Sequence, residues 1–76
     1  MSTNITDRAA QVLAEIDDAT AEALAWENLA WEKSLRCLKT AIEALLDIIR
    51  ANGNATYMRH AERKLTTLCY QWEAAK

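Results

Sequence analysis

Two cysteines and one histidine are the side chains in this sequence with the chemistry to bind a transition metal. The chain holds Cys37, Cys69 and His60 and no other residue of either type. A structural zinc site usually needs four such ligands, and on a helical hairpin His60 falls about two turns from the level of the cysteines. We therefore predict no metal and no other cofactor.

The two cysteines also pose a redox question. An antiparallel hairpin would place Cys37 and Cys69 at one level, where a disulfide is geometrically conceivable. The first residues of the chain lack the basic and apolar regions of a secretory signal, so we expect a cytoplasmic location. Thiols stay reduced in that compartment, which favours two reduced, buried cysteines.

Acidic side chains cluster in the first third of the sequence. Asp18 and Glu22 would share one face of a helix, next to Asp17. No histidine accompanies them, no Ser-His-Asp or Cys-His arrangement is readable, and one glycine cannot make a phosphate-binding loop. We interpret the acids as a solvated face and predict that the protein is not an enzyme.

A set of basic and hydroxyl-bearing residues lies along the last third of the chain. Arg59, Arg63, Lys64 and Tyr70 are its members that could contact phosphate. Glu62 interrupts the set, and the net charge of −2 is unlike that of a typical nucleic-acid-binding domain. Nucleic acid is therefore a possible partner that we favour less than protein.

The three tryptophans differ in their expected roles. We expect Trp31 and Trp72 to fill the core, because both fall on apolar stripes that face other helices. Trp26 falls on an alanine-rich stripe for which the sequence forces no internal partner. Tryptophan is enriched at interface hot spots, so Trp26 is the best candidate for an intermolecular contact. The predicted partner-binding residues share that stripe: Ala19, Ala23, Trp26 and Ala30.

The composition and length favour a single helical domain over residues 1–76. The chain has one glycine and no proline, and 51% of its residues are hydrophobic. Its charge is uneven, with −6 over residues 1–32 and +4 over residues 33–76. We expect the acidic half to lie on the basic half, within the chain or between two copies, in preference to a basic ligand-binding half.

Two overlapping apolar stripes predict the helices. One stripe runs from Ile5 to Ala30 in steps of four and three, and the other runs from Leu24 to Ile49 with the same steps from Trp31 onward. Because no glycine or proline interrupts residues 6–51, we predict one long helix there. The alternative is a break within residues 17–28, at the two aspartates or at Glu27-Asn28, which would give a three-helix bundle.

Asn52-Gly53-Asn54 is the clearest turn signal, and a further helix is predicted over residues 55–74. A short turn makes the flanking helices antiparallel, which sets Leu38 level with Leu68 and Leu45 level with Ala61. The stripe of residues 6–30 then lacks a partner, so we predict a homodimeric helical bundle.

The hypothesis that follows is a small non-enzymatic module that binds and modulates a host or cellular protein. Such accessory regulators and inhibitors are typical of phages and mobile elements. One alternative is a module that binds or mimics nucleic acid, and another is a structural oligomerisation subunit. No apolar run approaches the ~20 residues that span a bilayer, so no membrane association is expected.

Overall fold

The fold is an all-α bundle of three helices. The computed structural model of the chain describes residues 5–51 and 55–76, and their helices are α1 (Ile5–Ala25), α2 (Leu29–Ala51) and α3 (Ala55–Ala75). The all-α prediction is confirmed, and α3 ends within one residue of its predicted bound. The predicted turn at Asn52-Gly53-Asn54 lies outside the described residues.

The predicted single helix over residues 6–51 is wrong, and the alternative three-helix bundle is correct. The chain leaves the helix after Ala25 and re-enters it at Leu29. Glu27 takes the left-handed conformation with φ 56°. Its N–H donates to the carbonyl of Leu24 at 3.1 Å, and the N–H of Asn28 donates to the carbonyl of Ala23 at 2.9 Å. This hydrogen-bond pair is a Schellman C-cap, built with glutamate where glycine is usual.

Asn28 begins the next helix directly after that cap. Its Oδ1 accepts the N–H of Trp31 at 3.2 Å, and its carbonyl accepts the N–H of Glu32 at 3.0 Å. An asparagine N-cap of this kind is worth about 1 kcal/mol, which offsets a left-handed glutamate of similar cost. For this reason the helix can break without glycine or proline at little net cost in free energy. Burial of the apolar stripe of α1 then favours the broken form.

The core is formed by one apolar stripe from each helix. Helix α1 buries Ala9, Val12, Ile16 and Ala23; α2 buries Leu35, Ile42 and Leu46; α3 buries Ala61, Leu65, Cys69 and Trp72. The α1 stripe is therefore covered by the chain's own α2 and α3. The expectation that residues 6–30 need a second copy to bury this stripe does not hold.

Short connections fix the helix directions. The three residues between α1 and α2, and the three between α2 and α3, are too few to span a helix of about 35 Å, so each neighbouring pair is antiparallel. Helix α1 thus runs parallel to α3. Two ion pairs join the acidic half to the basic half, as expected: Asp17 Oδ1 to Lys39 Nζ at 2.8 Å, and Glu15 Oε1 to Lys76 Nζ at 2.7 Å.

Lys76, which follows α3, reaches back to the side of α1. Its ammonium lies 2.7 Å from Glu15 Oε1, so this contact joins the C-terminal end of α3 to α1.

Candidate protein-binding tip of the first helical hairpin

Three large apolar side chains surround the α1–α2 turn and are exposed to solvent. Trp26 is 78% exposed, Leu29 68% and Leu24 50%. We call these three residues the tip. Exposed apolar side chains are ordinary when they are scattered, but here three occur within six positions around one turn.

The backbone that carries the tip is held by hydrogen bonds on both sides. The N–H of Trp26 donates to the carbonyl of Glu22 at 3.0 Å, which continues the last turn of α1. Glu27 and Asn28 then form the C-cap and the N-cap described above. A rigid aromatic side chain on a fixed backbone loses little conformational entropy on binding, which is the property of an anchor residue.

A groove of about 270 Å³ lies beside the tip, between the end of α1 and the start of α2. Its walls combine alanines, tryptophans and two polar residues: Ala19, Glu22, Ala23, Trp26, Asn28 and Trp31. The structure therefore brings together three of the four predicted partner-binding residues. Ala30 is exposed but does not line this groove.

Ala23 occupies a different position from the one expected. It is buried in the core, where it packs between α1 and α2, so its side chain is covered by the chain itself. Trp31 is half-buried against the core and Trp72 is buried in it, in agreement with the core roles predicted for both. Of the tryptophans, Trp26 alone is exposed.

The charges around the tip are mainly negative. Asp18, Glu22 and Glu27 are exposed on the last turns of α1 and on the turn itself. On the α2 side, Glu32 is buried, and its Oε1 forms an ion pair with the guanidinium of Arg36 but accepts no hydrogen bond from the described residues. The tip is thus an apolar surface with an acidic border.

A polar cluster ties α1 to α3 just below the tip. The indole N–H of Trp72 donates to Glu15 Oε1 at 2.8 Å, and the ammonium of Lys76 donates to the same oxygen at 2.7 Å. The bonds from Lys76 and Trp72 lower the pKa of Glu15, and the bond to Glu15 raises the pKa of Lys76. The Lys76 ammonium also lies 5.8 Å from the centre of the Trp72 ring.

Sequence analysis missed this role of Glu15. The glutamate sits in a run of acids that reads as a solvated face, and its partners lie at the other end of the chain. A weak signal exists in the position of Trp72, since a buried indole needs an acceptor. Nothing in the sequence says which of several acids supplies it.

The predicted phosphate-binding residues do not converge. Arg59, Arg63 and Tyr70 are exposed on one stripe of α3, whereas Lys64 lies about 100° further round the helix. Lys64 lines a groove between α3 and α2, and Tyr70 lines a groove with Ile5 of α1. The role of these four residues in nucleic-acid binding stays a prediction.

The cysteines are both free, but their environments differ. Cys69 is buried, as expected, and burial raises the pKa of its thiol. Cys37 is exposed, so the prediction of two buried thiols is wrong for this residue. Across residues 5–51 and 55–76, no group of three or more His, Cys, Asp or Glu side chains is placed to hold a metal ion.

None of the helices in the described part of the chain has the length and apolarity needed to cross a membrane. Comparison of the chain with protein-family models, with curated proteins and with solved structures finds no match.

Proposed function

We propose that this protein is a non-enzymatic interaction module that docks onto another protein through the tip. The observation that carries the proposal is the 78% exposure of Trp26 on a turn capped from both sides. A tryptophan held in this way gives up little entropy when it enters a pocket and contributes a large apolar area.

The tip also sets requirements for the partner. Leu24 and Leu29 flank Trp26 and would fill the space around a central anchor. The exposed carboxylates of Asp18, Glu22 and Glu27 at the border favour a pocket ringed by basic side chains. The partner is therefore a protein with an apolar cleft and a basic rim. We retain the hypothesis that it is a host or cellular protein and that the chain acts as an accessory regulator or inhibitor in the cytoplasm.

A pull-down with tagged protein tests the proposal, with Trp26→Ala as the variant. Tyr70→Ala is the matched control, because Tyr70 is an aromatic side chain of similar exposure, 71%, on a different face. We expect one protein to be retained by the wild type and by Tyr70→Ala and to be lost with Trp26→Ala. Circular dichroism should show equal helicity in all three, since neither residue is part of the core.

The other outcomes separate the alternatives. Retention of the same protein by Trp26→Ala at wild-type level would reject the tip as the binding surface. Recovery that disappears after nuclease treatment would move the function to nucleic acid, with Arg59 and Arg63 as the residues to change next. Recovery of the bait alone would favour a structural subunit.

A further inference from the structure

The outer face of α2 is largely uncovered by the part of the chain that the structure describes. We define this face by six residues spaced in steps of four and three: Ala30, Ser34, Cys37, Ala41, Ala44 and Ile48. All are exposed except Ala41, which is half-buried, and no charged residue occurs among them. The matching series on α1, which begins Ala10 and Ala14, is interrupted by the exposed carboxylate of Asp17.

An open groove continues this face toward α3. It has a volume of about 430 Å³ and an almost wholly apolar lining, to which Leu45 of α2 and Leu68 of α3 contribute half-buried side chains. Ala41 and Ala44 of the outer face line it as well. A helix seated along α2 would cover the outer face and this groove together.

We propose that the occupant is a second copy of the same chain, bound through an antiparallel contact between the two α2 helices. The outer face is symmetric about position 39, so an antiparallel copy brings each residue opposite its counterpart. The pairs are Cys37 with the other copy's residue 41, Ser34 with its residue 44, and Ala30 with its residue 48. The small side chains in each pair let the two helices approach closely.

The charges beside the outer face identify the occupant as a copy of this chain and fix its direction. Lys33, Thr40 and Asp47 follow one another at intervals of seven along the solvent-facing flank. In the antiparallel contact, Lys33 of each copy lies about 3 Å along the axis from residue 47 of the other, within reach of its carboxylate, and the two Thr40 side chains lie about 3 Å apart across the centre. A parallel contact would instead place these flanks on opposite sides of the interface, where Lys33 and Asp47 would face apolar side chains and have no charged counterpart.

The assembly that results is a helical bundle with a two-fold axis. Helices α2 and α3 of both copies surround the groove, as in an antiparallel four-helix arrangement, while α1 stays on the outside. The two tips point in opposite directions and remain uncovered. Self-association and docking through Trp26 therefore use different surfaces, and either can fail without the other.

Sedimentation equilibrium of the full chain over a wide concentration range tests the contact. We expect a reversible association from the 8.6 kDa chain to twice that mass. Ala44→Arg places a long charged side chain in the middle of the outer face and should abolish the dimer. Thr66→Arg is the control, because Thr66 is exposed on α3 in a groove that it shares with α1 and not with α2. Both variants should keep wild-type helicity.

Charge exchange tests the register. Lys33→Asp and Asp47→Lys should each raise the dissociation constant roughly tenfold, since either change converts both attractive pairs into repulsive ones. The double variant Lys33→Asp/Asp47→Lys should return to the wild-type value. A monomer at every concentration, an Ala44→Arg dimer of unchanged affinity, or a double variant as weak as the single variants would each overturn the proposal. Loss of the dimer in Trp26→Ala would also overturn it, by placing the contact at the tip.

Discussion

The indole nitrogen of Trp72 donates a 2.8 Å hydrogen bond to Oε1 of Glu15, 57 positions earlier in the chain. Trp72 is buried, so its N–H cannot turn to water if this acceptor is lost. The bond therefore does more than join α3 to α1. It lets a tryptophan side chain lie in the core with its N–H donor satisfied.

Trp72→Phe should lower the free energy of unfolding by about 1–2 kcal/mol, because it deletes this donor and leaves a smaller ring in the same pocket. Urea denaturation followed by circular dichroism measures the change. Trp26→Phe is the matched control and should stay within about 0.5 kcal/mol of wild type, since Trp26 is exposed. Equal effects of the two substitutions would contradict the role assigned to Trp72.

The same cluster predicts a dependence of stability on pH. The pKa of Glu15 is lowered in the folded protein from its ordinary 4.5 by the bonds from Lys76 and Trp72. As the pH falls, Glu15 therefore becomes protonated at a higher pH in the unfolded chain than in the folded chain. The stability that the carboxylate contributes is present in full above pH 4.5 and is lost as the pH falls through the folded-state pKa.

Glu15→Gln isolates that contribution, because the amide oxygen can still accept the Trp72 N–H but carries no charge to titrate. We expect the variant to lose less stability than the wild type when urea midpoints at pH 7 and pH 3.5 are compared. Trp26→Phe serves as the control, since it changes an exposed side chain that carries no ionisable group and should keep the wild-type pH dependence. A Glu15→Gln profile that follows the wild type throughout would rule out this linkage.

Substitutions at two adjacent positions of the α1–α2 turn should change the stability of the protein in opposite directions. Glu27→Gly should stabilise the protein by about 1 kcal/mol, because glycine adopts the observed φ of 56° without the Cβ penalty. Asn28→Ala should destabilise it by about 1 kcal/mol through loss of the α2 N-cap. Thermal or urea unfolding measures both.

Glu22→Gly is the control for the glycine substitution. Glu22 lies inside α1, where a glycine should lower the free energy of unfolding by about 1 kcal/mol. If Glu27→Gly were as damaging as Glu22→Gly, residue 27 would be helical in solution and the long-helix alternative would return.

Much of the fold was predictable from periodicity, and the break in the first helix was not. The stripes of Ile16, Leu35 and Leu65 mark core faces because large aliphatic side chains are concentrated on one face of each helix. The break depends on Glu27, a residue with no special preference for the left-handed conformation. The left-handed conformation of Glu27 costs little free energy, and contacts between stripes that are distant in sequence offset it. Local sequence patterns do not report these contacts.

The candidate site was predictable to a similar extent. Trp26 is exposed although its stripe is buried by α2 and α3 as far as Ala23, because the helix ends at Ala25. The burial of Ala23 was missed because an alanine-rich stripe allows close approach by any helix, whether from the same chain or from another copy. The sequence cannot distinguish these two cases, whereas the turn at residues 26–28 settles it in favour of α2 of the same chain.

The two thiols should differ in reactivity. Cys37 is exposed, whereas Cys69 is buried and its pKa is raised by that burial, so less of it is thiolate at neutral pH. With Ellman's reagent in dilute solution we expect one fast phase, removed by Cys37→Ser, and one slow phase that reports local opening of the core, removed by Cys69→Ser. Because Cys37 lies on the outer face of α2, its fast phase should slow as the protein concentration rises, and Ala44→Arg should keep it fast. Two equally fast thiols in the folded protein would contradict the core position of Cys69, and a Cys37 rate independent of concentration would contradict the α2 contact.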